Sequence, residues 1–565
     1  MTMTGAEALV KGLEAEGVSI VFGYPGGAIL PVYDSLRESK TIKHVLVRQE
    51  QGGVHAASGF ARVSGKTGVC MATSGPGATN LVTGIATAYM DSIPIVIITG
   101  QVATKMVGTD AFQEVDITGI THPITKHNYL VQSADDIPRI IKEAFHIAST
   151  GRPGPVLIDV PKDVAEGICR REIPKEVNLP GYKPTLKGHA AQIKNACKLM
   201  EEAKKPLIHG GGGVITADAA GELMKLSELI QAPVITTFMG LGSIPTDHEM
   251  NLGMLGIHGH AAANRAIMEC DLLITVGARF DDRMTGAVEK FAPEAKIIHI
   301  DIDPAEIGKN IRVNVPIVGH VKMVLQAIIE RLKDNGPTTR SDWYHQVQAW
   351  KKETFESYPN SRNVLTTRLV LQGLNKISRG EFIVTTDVGQ HQMFAAQFLS
   401  LKNPKSFISS GGLGTMGYGL PAAVGAQIAN PKAKVVCITG DGSFQMSMNE
   451  LATAKEQGLP IKVLIFNNNC LGLVRQLQHF YCDRREMAVE MTGNPDFVKL
   501  AHAYGIEGFR INHPAEIDGV LEEVFHNDKL SIVDCVIKCE EFVYPTVLTG
   551  KGLDEMVIGT GGNHE

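Results

Sequence analysis

The sequence predicts an α/β protein of three domains with mainly parallel sheets, and three observations lead there. Short apolar runs alternate with amphipathic stretches along nearly all of the 565 residues, the rhythm of repeated strand–helix–strand units. The rhythm breaks at two polar, proline-bearing segments, 171–188 and 333–363. The stretch from Gly68 to Gly100 also has a counterpart from Lys434 to Asn468: strand, glycine turn, helix, then a strand led by proline (Pro94, Pro460). Any two strand–helix–strand units share some likeness, but this order suggests that the outer domains are diverged copies. A length of 565 residues with 44% hydrophobic composition allows three or four domains with several cores.

Taken in order, MTMTGAEALVKGLEAEGV opens with a helix, capped by a Thr4–Glu7 box and stopped at Gly17. Strands follow at SIVFGY, GVCMATS, IPIVIITG and GPVLIDV, and the first domain closes near residue 185. PLIHGGG, PVITTF, LLITVGA and KIIHIDI supply a second sheet across 186–355. FIVTTDV, KVVCITG and IKVLIF supply a third across 356–545, and 546–565 is left as a tail or lid.

Composition narrows the function classes. A net charge of −6 with both signs mixed offers no basic stripe for nucleic acid and no polybasic membrane anchor. No apolar stretch approaches membrane-spanning length. Nine scattered cysteines without a C-x-x-C pair read as reduced core thiols, and the expected location is cytoplasmic.

The most specific chemical signal runs from Ile438 to Asn468. One apolar run ends on Gly440-Asp441-Gly442 and the next on Asn467-Asn468, a helix-length segment apart. Glycine lets backbone N–H groups approach phosphate oxygens, the Asp441 carboxylate and Asn468 amide oxygen are hard donors suited to Mg2+, and a helix expected from about Ser443 adds its positive end. Acid and amide both fall at the carboxyl ends of strands, where open parallel sheets bind ligands. A lone GDG would be a tight turn; the pair indicates a divalent-metal site for a diphosphate, as in a thiamine-type cofactor.

The central domain carries Gly210 to Gly213 after a strand. Four glycines can admit a pyrophosphate, and a plain tight turn is an equal reading. Arg279, after LLITVGA, and Asp301, ending a strand as an acidic ribose partner does, tip this domain toward an adenine dinucleotide. Thiazolium chemistry also needs one carboxylate against the aminopyrimidine ring. Glu50, between the strand-like KHVLVRQ and the small-residue stretch GGVHAASGFARVSGK, is the candidate; by position alone a dipole-stabilising surface carboxylate at a helix start is the favoured reading.

FGYPGGAILPVYD, RQEQGGVHAASGFAR, TSGPGATNLVTGIA, DAFQEVD, DVPKDV, RFDDRMTG, HIDIDPAEIGK, DVGQHQM and GLGTMGYGLPAA, with the GDG and NN motifs, cover nearly the whole chain. Together they closely resemble the catalytic large subunit of the acetohydroxyacid (acetolactate) synthase family. The resemblance implies a thiamine diphosphate-binding fold with two similar outer domains and a Rossmann-like FAD-binding centre. It implies an enzyme that decarboxylates pyruvate and joins the remaining two-carbon unit to pyruvate or 2-oxobutyrate, the first common step of branched-chain amino-acid biosynthesis.

Matched motif by motif, the resemblance implies catalytic roles for Glu50, Gln113, Lys162 and Arg283. Glu50 would activate the pyrimidine, Gln113 contact the reacting oxygens, Lys162 lie at the access channel and Arg283 orient the second carboxylate. Thiamine diphosphate contacts would come from Gly26, Thr73, Pro76, Asn80, Val388, Gly389, Gln390, His391, Gly414, Met416, Gly440, Asp441, Gly442, Ser443, Asn468, Cys470, Gly472 and Leu473. Met416 would prop the cofactor into a bent form; ordinary core filling is its other reading. Mg2+ would take Asp441, Asn468 and the carbonyl of Cys470, which stands where relatives commonly have His.

FAD is implied at Arg152, Gly211, Gly212, Gly213, Thr237, Phe238, Met239, Leu255, Gly256, His258, Gly277, Arg279, Asp281, Asp301, Ile302 and His320, in a structural role because the reaction is redox-neutral. Gly27, Ala28, Phe112, Val388 and Met393 would wall the substrate pocket. Leu477 replaces a Trp common in relatives, which puts a strong preference for 2-oxobutyrate in doubt. The family also implies a homodimer or homotetramer and a small regulatory subunit. Two rivals remain: a thiamine diphosphate- and FAD-dependent pyruvate oxidase, and a non-catalytic relative, which should have lost Glu50, Asp441 or Asn468.

Overall fold

Each apolar run named above forms a strand, in a computed structural model that describes residues 3–335, 339–356 and 363–559. The strands assemble into three six-stranded sheets, all parallel. The first contains β1 (Ile20–Tyr24), β2 (Lys43–Leu46), β3 (Gly68–Ala72), β4 (Ile95–Gln101), β5 (His127–Leu130) and β6 (Pro155–Pro161), in spatial order β2-β1-β3-β4-β6-β5. The second contains β7 (Pro206–Gly210), β8 (Val234–Thr236), β9 (Asn251–Met254), β10 (Leu272–Val276), β11 (Lys296–Asp301) and β12 (Val315–Val318), in order β9-β8-β7-β10-β11-β12. The third contains β13 (Ile383–Thr386), β14 (Phe407–Ile408), β15 (Val435–Gly440), β16 (Lys462–Asn467), β17 (Glu507–Ile511) and β18 (Ser531–Val536), in order β14-β13-β15-β16-β18-β17.

The outer sheets therefore share one strand order along their whole width, which extends the likeness read between residues 68–100 and 434–468. The central sheet has the order of a doubly wound dinucleotide fold. The strands with weak sequence signals are chiefly sheet edges, where one side of the strand lacks a neighbour and apolar runs shorten. The exception is β18, an interior strand interrupted by a buried acid, Asp534.

Helix α1 (Gly5–Ala15) has the expected cap. Glu7 N–H donates to Thr4 Oγ1 at 3.1 Å, Thr4 N–H donates to Glu7 Oε2 at 2.7 Å, and Gly17 turns the chain at φ +73°. Met3–Thr4 pairs antiparallel with Ile168–Cys169, tying the chain start to the end of the first sheet's unit. Within the polar stretch 333–363, α3 (Ser341–Glu356) is a helix packed on the central unit and, but for its last residue, inside the expected bounds 186–355. Trp343, Val347 and Trp350 fall on one helical face, and Trp343 is buried with Nε1 donating to the Pro206 carbonyl. Residues 336–338 and 357–362 of that segment lie outside the described residues.

The two outer sheets share a core. Phe22, Val54, Ala57 and Ile95 belong to the same buried cluster as Leu420, Ala422, Val435 and Leu451. At its centre α2 (Glu50–Ser64) crosses α4 (Gly419–Ala429), the most extensive helix contact among the described residues. A Cβ at Gly59 would strike the Ala422 carbonyl and one at Gly425 the Ala56 carbonyl, so only glycine allows the approach. Ser58 and Tyr418 hydroxyls meet at 2.9 Å across this seam, and Thr87 and Thr415 at 2.7 Å.

Residues 546–559 lie on the central unit. Val547 N–H donates to the Ile257 carbonyl, and Val547 and Leu553 are buried with Leu255, Phe280 and Met284. Positions 560–565 of the expected tail lie outside the described residues. Among the described residues, no helix is long and apolar enough to cross a membrane.

Candidate active site

The third sheet brings its acid and amide together. β15 ends at Gly440 and helix α5 (Asp441–Phe444) starts immediately, two residues before the expected start, because Gly440 is extended and Ser443 Oγ turns back to accept its N–H at 3.2 Å. Asp441 is buried, and Asn494 Nδ2 donates to its Oδ2 at 2.6 Å. Burial pushes the Asp441 carboxyl up to about 6, against backbone N–H groups of Gly442 and Cys470 that favour its ionised form. After β16, Asn469 adopts φ +53°, and this left-handed turn lets Cys470 N–H donate to Asn468 Oδ1 at 3.1 Å. Carboxylate, amide and the loop that carries the Cys470 carbonyl therefore meet.

Glycines let polar side chains pack closely around the metal loop. At Gly472, which opens α6 (Gly472–Tyr481), a Cβ would strike Gln390 Oε1 and stand 2.8 Å from Asn468 Nδ2. Gly389 and Gly440 both face the His391 ring, where a Cβ would come within 2.7 and 2.9 Å. His391 Nε2 is buried without a hydrogen-bond partner among the described residues, and burial lowers the ring to about 3, so it is neutral. Leu473 is half-buried at the start of α6. An oxygen-only donor set beside an unpartnered imidazole nitrogen fits a hard divalent cation with a bound phosphate group.

Asp387, at the end of β13, organises the second cradle. Its carboxylate accepts the N–H groups of Val388 (2.9 Å), Gly417 (2.8 Å) and Gly419 (3.1 Å). Met416 is thus held half-buried between a pinned Gly417 and Thr415, with Gly414 (φ +69°) beside Val388.

In the first sheet, Gly26, Thr73, Pro76, Asn80, Glu50 and Gln113 converge at the carboxyl ends of β1 and β3. A Cβ at Gly26 would stand 2.5 Å from Thr73, and Ala28 N–H donates to Thr73 Oγ1 at 3.3 Å. Glu50 is the first residue of α2, half-buried, and accepts from Asn80 Nδ2 at 2.9 Å. Gly77 abuts both Thr73 and Glu50, while Gln113, at φ +58°, lies on Gly75. Among the described residues no hydrogen bond or ion pair joins Glu50 to Asp441 or Asn468.

The remaining expected residues are not gathered within one chain. Phe112 is 87% exposed and Leu477 is exposed on α6, whereas Met393 packs against the third sheet's core. Gly27 faces open space. Lys162 is exposed at the start of a short helix, and Arg283 is exposed with one ionic neighbour, Asp282, at 3.7 Å.

Apart from Arg152, which lies in the turn before β6 of the first sheet, the expected dinucleotide residues follow the carboxyl ends of the central strands β7, β8, β9, β10, β11 and β12. Gly213 N–H donates to the Gly277 carbonyl at 2.9 Å, and Gly211 touches Gly277 and Ala278, so these glycines let two loops meet at the switch between β7 and β10. Gly212 faces Met239, Thr237 Oγ1 caps the turn through Phe238 and Met239, and Leu255 N–H donates to the Thr236 carbonyl. Gly256 lies against the Arg283 carbonyl. Arg279 donates to the Met90 carbonyl and lies 3.6 Å from Asp281, while Arg152 pairs with Asp303 and Glu306. Burial raises Asp301 to about 6, with Ile302 half-buried after it. Nδ1 of His258 and of His320 are buried without partners. These open polar atoms and the glycine crevice fit a dinucleotide.

Two site residues escaped the sequence reading. Asp387 carried the same signal as Asp441, an acid ending a strand before glycine, and could have been found by it. Asn494 sits in an irregular loop whose sequence shows no periodicity.

The chain matches three family models in sequence order: the N-terminal TPP binding domain of thiamine pyrophosphate enzymes over residues 3–120, their central domain over 193–328, and their C-terminal TPP binding domain over 387–535. It is 50% identical to an acetolactate synthase of Mycobacterium bovis, over 99% of this chain and 92% of the relative. It is 50% identical to a probable acetolactate synthase large subunit of Methanocaldococcus jannaschii, over 98% and 95%. It is 45% identical to the acetolactate synthase isozyme 3 large subunit of Escherichia coli, over 98% of each.

Proposed function

The chain belongs to the acetolactate synthase family of thiamine diphosphate enzymes, and on that premise we propose how its residues divide the work of acetolactate formation in branched-chain amino-acid biosynthesis. The observation that carries the assignment is the meeting of Asp441, Asn468 and the Cys470 loop at the ends of β15 and β16.

Thiamine diphosphate, when bound, would supply the nucleophilic carbon needed to decarboxylate pyruvate and join the remaining two-carbon unit to a second 2-oxo acid. Asp441, Asn468 and the Cys470 carbonyl would hold Mg2+, and Gly442 and Gly472 would let backbone N–H groups approach the diphosphate. Glu50 holds a proton on the pyrimidine ring, steadied by Asn80. Gln113 donates to the reacting oxygen without a charge that would quench it. Met416 and Val388 shape the cofactor and exclude water. Arg283 orients the second carboxylate by a charge-assisted fork, and Lys162 lies at the access channel.

FAD would be held in the central crevice by Gly211, Gly213, Arg279 and Asp301, in a structural role because the reaction is redox-neutral. A homodimer places the first sheet's half-site of one copy against the third sheet's half-site of the other; the exposed Phe112 and Leu477 support this. The relatives named as large subunits support a small regulatory partner, and the location is cytoplasmic. Purified protein given pyruvate, thiamine diphosphate and Mg2+ under nitrogen, with and without FAD and 2-oxobutyrate, should form acetolactate. Acetate formed with consumption of an electron acceptor would overturn this reading.

A further inference from the structure

The matching strand order of the outer sheets exposes a repeated pair of buried acids, Asp159 and Asp534, to which no role has been assigned. In the first sheet Asp159 on β6 is buried opposite Thr99 of β4, two residues before Gln101. In the third sheet Asp534 on β18 is buried opposite Ile465 of β16, two residues before Asn467. β6 and β18 hold the same place in their sheets, as do β4 and β16. Each carboxylate receives the side-chain amide that ends the neighbouring strand: Gln101 Nε2 reaches Asp159 Oδ2 at 2.9 Å, and Asn467 Nδ2 reaches Asp534 Oδ1 at 3.0 Å.

Both amides then hold the loop that follows. Gln101 Nε2 also donates to the Val115 carbonyl at 2.9 Å, and its Oε1 accepts Val102 N–H at 2.9 Å, closing both ends of the excursion that carries Phe112 and Gln113. Asn467 Oδ1 accepts Asn469 N–H at 3.3 Å, bracing the left-handed turn between Asn468 and Cys470. The second carboxylate oxygen is satisfied differently in each copy. Thr99 Oγ1 donates to Asp159 at 2.7 Å; its counterpart Ile465 has no hydroxyl, and Arg510 Nε donates to Asp534 at 3.0 Å instead. Two arms meet the same demand, because a buried carboxylate oxygen without a donor is costly.

We infer that Asp159 and Asp534 are equivalent positioning residues, each clamping through an amide one catalytic loop of the acetolactate-forming site: Gln113 in the first sheet, the Asn468–Cys470 metal loop in the third. The inference rests on the roles proposed above for Gln113, Asn468 and Cys470. Its consequence is a division of labour. Loosening the first clamp alters turnover of pyruvate, and loosening the second alters retention of Mg2+ and thiamine diphosphate.

The test compares Gln101→Met and Asn467→Leu in the full chain, reading kcat, the half-saturating concentration of Mg2+ with thiamine diphosphate, and the cofactor-induced rise in melting temperature. Gln101→Met should lower kcat about tenfold with cofactor half-saturation unchanged; Asn467→Leu should raise half-saturation about tenfold and shrink the thermal shift. Asp159→Asn should restore what Asp159→Ala removes, since the Thr99 hydroxyl can reverse and accept. Asn467→Ser gives the same reading if Asn467→Leu does not accumulate. Losses that merely follow melting temperature, without this split, overturn the inference. Gln113→Ala and Asn468→Ala serve as references: if they are impaired while the clamp variants are normal, the clamp fails alone; if they are themselves normal, the functional reading fails.

Discussion

Asn494 holds the carboxylate of Asp441, its Nδ2 donating at 2.6 Å to Oδ2 and at 3.1 Å to Asn469 Oδ1. One amide thus fixes both the acid and the turn that aims Asn468. Gln445 Nε2 in turn donates to Asn494 Oδ1 at 2.8 Å, so the amide's orientation is set.

Asn494→Ala removes a hydrogen bond to a charged group. The concentration of Mg2+ with thiamine diphosphate needed for half-maximal activity should rise about tenfold. Titration of the apoprotein with both, followed by activity and by melting temperature, checks it; an unchanged midpoint would show that Asp441 needs no such support.

Glu50→Gln keeps the size of the side chain and the contact with Asn80. Turnover should fall by about 10² to 10⁴, while the cofactor-induced thermal shift persists. Near-normal turnover would remove Glu50 from the mechanism.

Burial raises Asp387 to about 6, above its ordinary 3.8. The folded protein therefore holds this proton more tightly than the unfolded chain. The stabilisation from protonation is complete below about 3.8 and is lost as pH rises through about 6. The stability of the wild type relative to Asp387→Asn should fall by up to about 3 kcal/mol between about pH 4 and pH 7, read as the difference in urea midpoints. Parallel profiles for the two proteins would contradict it.

Leu477 is exposed on α6 and offers no flat aromatic wall. At equal pyruvate and 2-oxobutyrate the two acetohydroxy acid products should form in a ratio near unity, and Leu477→Trp should favour the 2-oxobutyrate product about tenfold. Dominant acetohydroxybutyrate from the unaltered chain would sink the idea.

The sequence revealed what short-range spacing determines. Asp441 and Asn468 stand one strand–helix–strand unit apart, so their approach follows from local geometry. β18 was hidden because Asp534 breaks its apolar run, and that acid's role appears only once Asn467 and Arg510 are seen around it. Trp343 and Trp350 lay in a segment rich enough in polar residues to resemble a linker, although their spacing alone would have marked a buried face. Phe112 and Arg283 carry recognisable motifs, yet no local rule says whether a chain folds them into its own pocket or offers them outward.

The seam where Gly59 and Gly425 meet opposing carbonyls has a mechanical consequence. With no slack for even a methyl group, the outer halves of one molecule move as a single rigid block. Prising apart the chain's own flanking layers would break this contact, so hinging of these halves against each other is not the route by which the coenzyme enters and leaves.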